Sequence, residues 1–261
     1  MTRRAHLLIL GGTAEARALA ALAVARFGRR ARVTTSLAGR TRAPAPVAGA
    51  ARRGGFGGAA GLARFLRRGG VDALVDATHP FAARISANAE AAAAAAGVPR
   101  LVLRRPAWRR RPGDRWIVVA DADAAARAAA RARGRVLLTV GSGELGRFAG
   151  LPGRRLVARM IERPPRDALP AGARLLLARG PFELAGETTL LRRHRIAVVV
   201  AKASGGDATR AKLDAARALG LTVILIRRPK PPAGPTAATP RAALGWVATM
   251  LGLDGVGPRP D

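Results

Sequence analysis

The chain has no cysteine, only three histidines and few aromatic residues. Without a thiol there is no disulfide, no thiolate metal site and no cysteine nucleophile, and three scattered histidines argue against a zinc site. Long apolar runs are missing too. No stretch approaches the roughly 18 to 20 residues that cross a bilayer, and Met1-Thr2-Arg3-Arg4 leads into an apolar segment too short for a signal peptide. The expectation is a cytoplasmic protein with no membrane contact. Acidic residues are also scarce, 16 against 46 Lys and Arg in 261 residues, for a formal charge of +30. Such a charge suggests a nucleic-acid binder. Yet the positive residues are nearly all Arg, spread along the chain among many Ala, and aromatics for base stacking make up only 3%. No nucleic-acid module signature is present. The surviving reading is no nucleic-acid partner, and a positive surface suited to a small substrate carrying several carboxylates. The chemistry then falls to a bound cofactor or to O and N side chains.

What is present begins with His6-Leu7-Leu8-Ile9-Leu10-Gly11-Gly12-Thr13-Ala14-Glu15-Ala16-Arg17. Four apolar residues make a short strand covered on both faces, Gly11 and Gly12 let the backbone turn, and Thr13 caps the helix that follows. The first amides of that helix make an anion site suited to a phosphate, set against a plain strand-to-helix turn. Only two glycines stand where the dinucleotide fingerprint has three, since Ala14 and Ala16 follow. A second strand over 31–35 runs into Ser36-Leu37-Ala38-Gly39-Arg40-Thr41-Arg42, with no acidic residue to hold a ribose 2′-hydroxyl. Ser36, Arg40 and Arg42 offer a hydroxyl and cations instead, which suits a 2′-phosphate and hence NADP rather than NAD. Residues 44–51 read as an irregular connector. Gly54-Gly55-Phe56-Gly57-Gly58, just before a helix over 59–68, reads as backbone close to a ligand or as a plain flexible loop.

A third strand over 71–76 ends in Asp76-Ala77-Thr78-His79-Pro80-Phe81, with Arg84, Ser86 and Asn88 on the next helix. Polar residues here sit at the carboxyl end of a strand, where open α/β sheets bind their ligands. His79 is the one titrating candidate for a proton donor there, set against the plain structural role that a lone histidine often has. After a strand over 100–103 a domain boundary falls near residue 104. A second domain begins with a strand over 116–120, a helix over 121–133 and a strand over 135–140. Gly141-Ser142-Gly143-Glu144-Leu145-Gly146 then has the full three-glycine spacing, with Glu162 closing the next strand, a pattern that by spacing alone points to NAD in this half. The short helix and the prolyl turn after it make this a ligand-facing loop instead, and the cofactor stays with the first half. A strand over 174–178 ends in Arg179-Gly180-Pro181-Phe182, a helix spans 182–193, and His194, between two Arg, reads as exposed. The strand over 196–201 ends in Lys202-Ala203-Ser204-Gly205-Gly206, a second anion site opening a helix over 207–219. A last strand over 221–226, a stiff connector over 229–235, a closing helix over 240–251 and a disordered tail complete the reading.

Taken together, the strand-end motifs resemble one family, the precorrin-6A reductases of cobalamin biosynthesis with their cobalt-precorrin-6A counterparts. The resemblance spans nearly the whole chain and rests on residues 10–17, 36–41, 54–58, 76–82, Arg105-Pro106-Ala107-Trp108, 179–182 and 202–206. It implies an α/β fold of two Rossmann-like domains with mainly parallel sheets and a ligand cleft between them. Residues 1–104 would bind NADPH, residues 105–252 would bind substrate, and 253–261 would be a tail. Hydride would pass from NADPH to a double bond of the precorrin-6A macrocycle, giving precorrin-6B. On the cofactor side stand Gly11, Gly12, Thr13, Glu15, Ser36, Arg40, Thr41, Gly55, Asp76 and Thr78. On the substrate side stand His79, Pro80, Phe81, Arg84, Gly141, Arg179, Gly180, Lys202, Ser204, Gly205 and Gly206. Arg84, Arg179 and Lys202 are natural clamps for a polycarboxylate tetrapyrrole. Two departures stand out: Ala203 where the family usually has Asn, and a 141–143 loop richer in glycine. A monomer or a weak homo-oligomer is expected. The rival readings are another NAD(P)-dependent oxidoreductase or epimerase on the same fold, and, more remotely, a nucleic-acid-binding protein.

Overall fold

The computed structural model describes residues 3–39 and 45–255. They form two compact units, one from the chain up to Arg105 together with the segment from Pro229, the other from Pro106 to Arg228. Each unit is a six-stranded sheet in which every pairing is parallel.

The first unit runs β1 (Ala5–Leu10), α1 (Ala14–Phe27), β2 (Ala31–Leu37), β3 (Ala50–Arg53), α2 (Gly58–Arg68), β4 (Ala73–Asp76), α3 (Ala83–Ala96) and β5 (Arg100–Leu103). Apart from the buried His6, strand β1 is apolar, as suits a strand covered on both faces. Leu7 and Ile9 pack with Leu19, Ala20, Ala23 and Phe27 of α1, while Leu8 and Leu10 face Leu62 and Leu66 of α2 and Ala89 and Ala93 of α3. The alternation is the period of two that a strand imposes.

The second unit runs β6 (Arg115–Val119), α4 (Ala122–Arg131), β7 (Arg135–Thr139), α5 (Ser142–Leu145), β8 (Leu156–Met160), β9 (Arg174–Leu177), α6 (Leu184–Arg193), β10 (Ile196–Lys202), α7 (Ala211–Ala218) and β11 (Thr222–Ile226). One face of its sheet, with Leu137, Val199, Ala201, Val223 and Leu225, is closed by Leu191 of α6 and Leu213 and Ala216 of α7. The chain then returns to the first sheet as β12 (Thr236–Ala237) and α8 (Pro240–Met250).

The strand orders are β12-β5-β4-β1-β2-β3 and β6-β11-β10-β7-β8-β9. Both follow the doubly wound pattern, with reversal points between β1 and β4 and between β7 and β10. Among the described residues no helix is long and apolar enough to cross a membrane.

Four expectations change. The connector over 44–51 contains the start of a strand, since β3 pairs with β2 from Thr34↔Ala50 to Leu37↔Arg53. Its sequence Ala-Ala-Arg-Arg has no strand alternation, so the open edge of β2 is what holds it extended. The second domain, expected to run to residue 252, gives up its last part: β12 pairs with β5, and Ala243 and Val247 of α8 fill the core beside α1. Leu253, expected in a loose tail, packs on the same core, its amide bonded to the Ala248 carbonyl at 2.8 Å. The rest of the expected tail, from 256 on, lies outside the described residues. His194, expected at the surface, is 6% exposed.

Candidate functional site

At the reversal point of the first sheet, β1 ends in a glycine turn held by two neighbours. The Gly11 amide donates to the Ser36 carbonyl at 2.9 Å, and the Ala77 amide donates to the Leu10 carbonyl at 3.0 Å. A Cβ on Gly11 would come within 2.7 Å of Thr35 Cγ2, and Gly12 has a φ of +114°. Both positions therefore need glycine. Thr13 caps α1, accepting from the Ala16 amide at 3.1 Å and donating to the Ala77 carbonyl at 2.8 Å. Its hydroxyl thus ties the start of α1 to the end of β4 and fixes the pose of the glycine turn that leads into the helix. Glu15, in that first turn, is paired with Arg105 at 3.0 Å. Burial pushes the Glu15 carboxyl up. Hydrogen bonds from its own amide and from Arg105, with the Arg105 charge, outweigh this and hold it below the usual carboxylate range.

Asp76 closes β4 at 1% exposure. Its Oδ1 accepts from the Thr78 amide at 3.1 Å and the Thr78 hydroxyl at 2.7 Å. Its Oδ2 is buried with no hydrogen-bond partner among the described residues. A cavity of about 280 Å³ opens here, lined by Asp76, Thr78, His79, Pro80 and Ser86 from β4 and α3, and by Arg104 and Lys230 from the two ends of the first unit's chain. The return segment forms its outer wall. Arg104 donates to the Pro229 carbonyl at 2.9 Å, and the Ala233 amide donates to Glu90 at 2.9 Å. His79 is exposed, and its Nδ1 accepts from the Phe81 amide at 3.3 Å. In the neutral ring the proton is then on Nε2. Arg84 is exposed on the first turn of α3 and does not line the cavity, and neither does Phe81. Ser36 is buried and accepts from Arg52 Nη1 at 3.1 Å, and the exposed Gly55 gives its carbonyl to Arg52 Nη2 at 2.9 Å. Arg40 and Thr41 lie outside the described residues.

At the reversal point of the second sheet, the three-glycine loop is filled by the chain itself. Glu144 Oε2 accepts from the Gly141 amide at 2.9 Å and meets Lys202 Nζ at 2.7 Å. The helix it opens, α5, is only four residues long. Lys202 is therefore joined to the Gly141 loop through a carboxylate. The loop after Lys202 is tied down on every side. Trp108 Nε1 donates to the Gly206 carbonyl at 2.7 Å, while Arg228 donates to the carbonyls of Ala203, Ser204 and Pro106 at 2.6, 2.7 and 3.0 Å. Ser204 is buried, and Gly205 and Gly206 have φ of +66° and +74°. Arg179 and Gly180 are exposed and follow the edge strand β9, with β7 and β8 between it and β10.

The sequence reading missed Arg52, Glu90, Arg104, Arg159 and Arg228. Arg159 of β8 is 7% exposed, ion-paired with the buried Glu187 of α6, and its guanidinium lies 4.1 Å from the Phe182 ring centre. An Arg inside the apolar run Leu156–Met160 was the one visible signal for it.

These two reversal-point sites can be set beside known proteins. The family model described as precorrin-6x reductase CbiJ/CobK matches residues 6–248. A precorrin-6A reductase of Rhodococcus erythropolis is 51% identical over 251 residues, covering 96% of this chain and 99% of that one. One of Rhodobacter capsulatus is 47% identical over 250 residues, covering 95% and 96%. A solved structure described as CobK precorrin-6A reductase superposes with a TM-score of 0.87 at 44% identity, covering 98% of this chain and 99% of that one. With a sheet order, a glycine turn and a full-length match all in agreement, the chain belongs to the precorrin-6x reductase family.

Proposed function

We propose that this chain reduces precorrin-6A to precorrin-6B with hydride from NADPH, a step in building the corrin ring of cobalamin. The observation that carries the reading is the pairing, at the β1/β4 reversal point, of a phosphate-suited glycine turn with a cavity lined by a buried carboxylate that has one oxygen unpartnered. A dinucleotide fits these residues. The bare backbone of Gly11 and Gly12 admits a pyrophosphate, and Asp76 Oδ2 lacks the N–H donor that a carboxamide supplies.

When bound, NADPH supplies the hydride. The protein's part is binding, orientation and the proton. The turn at Gly12 and the very start of α1 hold the phosphates. Ser36, Arg40, Thr41 and the loop at Gly55 take the adenosine ribose, while Asp76 and Thr78 take the nicotinamide end. Arg84, Arg179 and Lys202 bind the carboxylates of the tetrapyrrole, with Ser204 and the backbone at Gly141, Gly180, Gly205 and Gly206. Reducing a double bond also takes a proton, and His79 in its imidazolium form is the donor, giving up one ring proton and returning to the neutral ring.

The test is anaerobic incubation of the protein with precorrin-6A and either NADPH or NADH, following nicotinamide oxidation and the macrocycle spectrum together. NADPH oxidation in step with loss of the precorrin-6A spectrum, with NADH much poorer, supports the proposal. If the metal-free and cobalt substrates both stay unchanged while NADPH still binds, another NAD(P)-dependent oxidoreductase or epimerase on this fold replaces it.

A further inference from the structure

Strand β3 brings Arg52 directly opposite Ser36 at the carboxyl end of β2. Arg52 Nη1 donates to Ser36 Oγ at 3.1 Å and to the Gly54 carbonyl at 3.0 Å, and Nη2 donates to the Gly55 carbonyl at 2.9 Å. Its guanidinium carbon lies 3.9 Å from the Phe56 ring centre and 5.3 Å from that of Phe65. A flexible side chain is thereby fixed in one pose, stacked on an aromatic ring and half-buried. Among the described residues these bonds use three of the five guanidinium N–H groups, which leaves Nε and the second hydrogen of Nη2 to donate.

The position matters because the end of the second strand is where a doubly wound fold meets the adenosine ribose. An enzyme selective for NAD places an acid there. In this sequence no Asp or Glu occurs between Glu15 and Asp72. The only charges that a ribose can meet from this stretch are positive.

We infer that Arg52 is the residue that selects NADPH over NADH, donating to the 2′-phosphate while it holds Ser36 and the 54–55 carbonyls in place. The inference rests on the proposed NADPH dependence and names the residue behind it. A fixed guanidinium meeting a dianion makes short, charge-assisted hydrogen bonds, and the phosphate needs no rearrangement of the strand ends.

The experiment is calorimetric binding of 2′,5′-ADP and of 5′-ADP to the full chain and to the variants Arg52→Ala, Arg52→Lys and Arg53→Ala. Wild type binds 2′,5′-ADP more tightly. Arg52→Ala loses about ten- to a hundredfold of that affinity and keeps its 5′-ADP affinity within about twofold. Arg52→Lys recovers part of the loss, and Arg53→Ala, an exposed charge one residue away, changes neither ligand. Equal weakening of both ligands in Arg52→Ala makes Arg52 a loop scaffold and overturns the inference, as does unchanged binding of both. If wild type shows no preference for 2′,5′-ADP and binds NADH as well as NADPH, the NADPH reading itself falls. That outcome is separate from the variant results.

Discussion

The guanidinium of Arg228 fills the space that a side chain on Gly205 would occupy. A Cβ at Gly205 would lie 1.9 Å from Arg228 Nη2 and 2.1 Å from the Pro106 carbonyl oxygen. Glycine is thus needed twice over, for its φ of +66° and for the Arg228–Pro106 hydrogen bond. Gly205→Ala is expected to destabilise the protein by at least the ~1–2 kcal/mol of left-handed strain. Arg228→Ala in the same chain should relieve only part of it, because the Pro106 oxygen stays. A double-mutant cycle by urea unfolding checks this: strict additivity would mean that the two residues do not compete for the space.

Arg159 and Glu187 form an ion pair with both side chains buried in the second unit. Removing one partner strands the other charge. Glu187→Ala is expected to cost about 3–5 kcal/mol, while Arg159→Met combined with Glu187→Leu should restore most of the stability. Denaturant midpoints of the wild type and these two variants decide it. A double variant no better than the single would show that the pair's value lies in the Phe182 stacking instead.

His6 and His194 are both held below the ordinary imidazole range. For His6 the first cause is burial, helped by Arg32 and Arg3 and opposed by the Gly69 carbonyl and Asp72. For His194 it is burial again, then Arg174, Arg193 and Arg135. As pH falls through about 6.5 the unfolded chain takes up protons that the folded chain refuses, so the unfolded state binds more protons and folding weakens. The stability these two sites contribute is full above about pH 6.5 and is lost as pH falls toward their folded values. Urea midpoints measured from pH 8 to pH 5 should drop on the acid side, with a shallower drop in His194→Asn. An identical slope in that variant would place the effect on other groups.

His79→Ala tests the proton donor. If the His79 imidazolium delivers the proton, kcat should fall by about 10²–10⁴-fold with KM little changed. A raised KM at constant kcat would make His79 a contact for substrate and leave the proton to water.

Much of this could be read from the chain because local chemistry and fold agree in the first 30 residues. The run Leu7-Leu8-Ile9-Leu10 is apolar on both faces, and Gly11, Gly12 and Thr13 match a strand-to-helix turn, so β1 and α1 follow. The pieces that stayed hidden depend on partners far away in sequence. Ala50–Arg53 carries no strand pattern and is extended only because β2 has an open edge, so Arg52 could not be singled out. The proline-rich stretch before β12 marks a boundary without saying which sheet the chain rejoins. Glu144 looked like a member of a fingerprint, and nothing local indicated that its carboxylate would meet Lys202, 58 positions later (202 − 144). His194 sits between two Arg, which hid the fact that its own ring turns inward.

The return of the chain as β12 and α8 sets an order of events during synthesis. Residues 106–228 leave the ribosome with every strand of their sheet in hand, whereas the first sheet still lacks its sixth strand and the helix that covers Leu7, Ile9 and the inner side of α1. The half of the protein that is made first is therefore the half that finishes folding last, and until residue 250 has emerged its apolar face stays open to solvent, to chaperones and to other nascent chains.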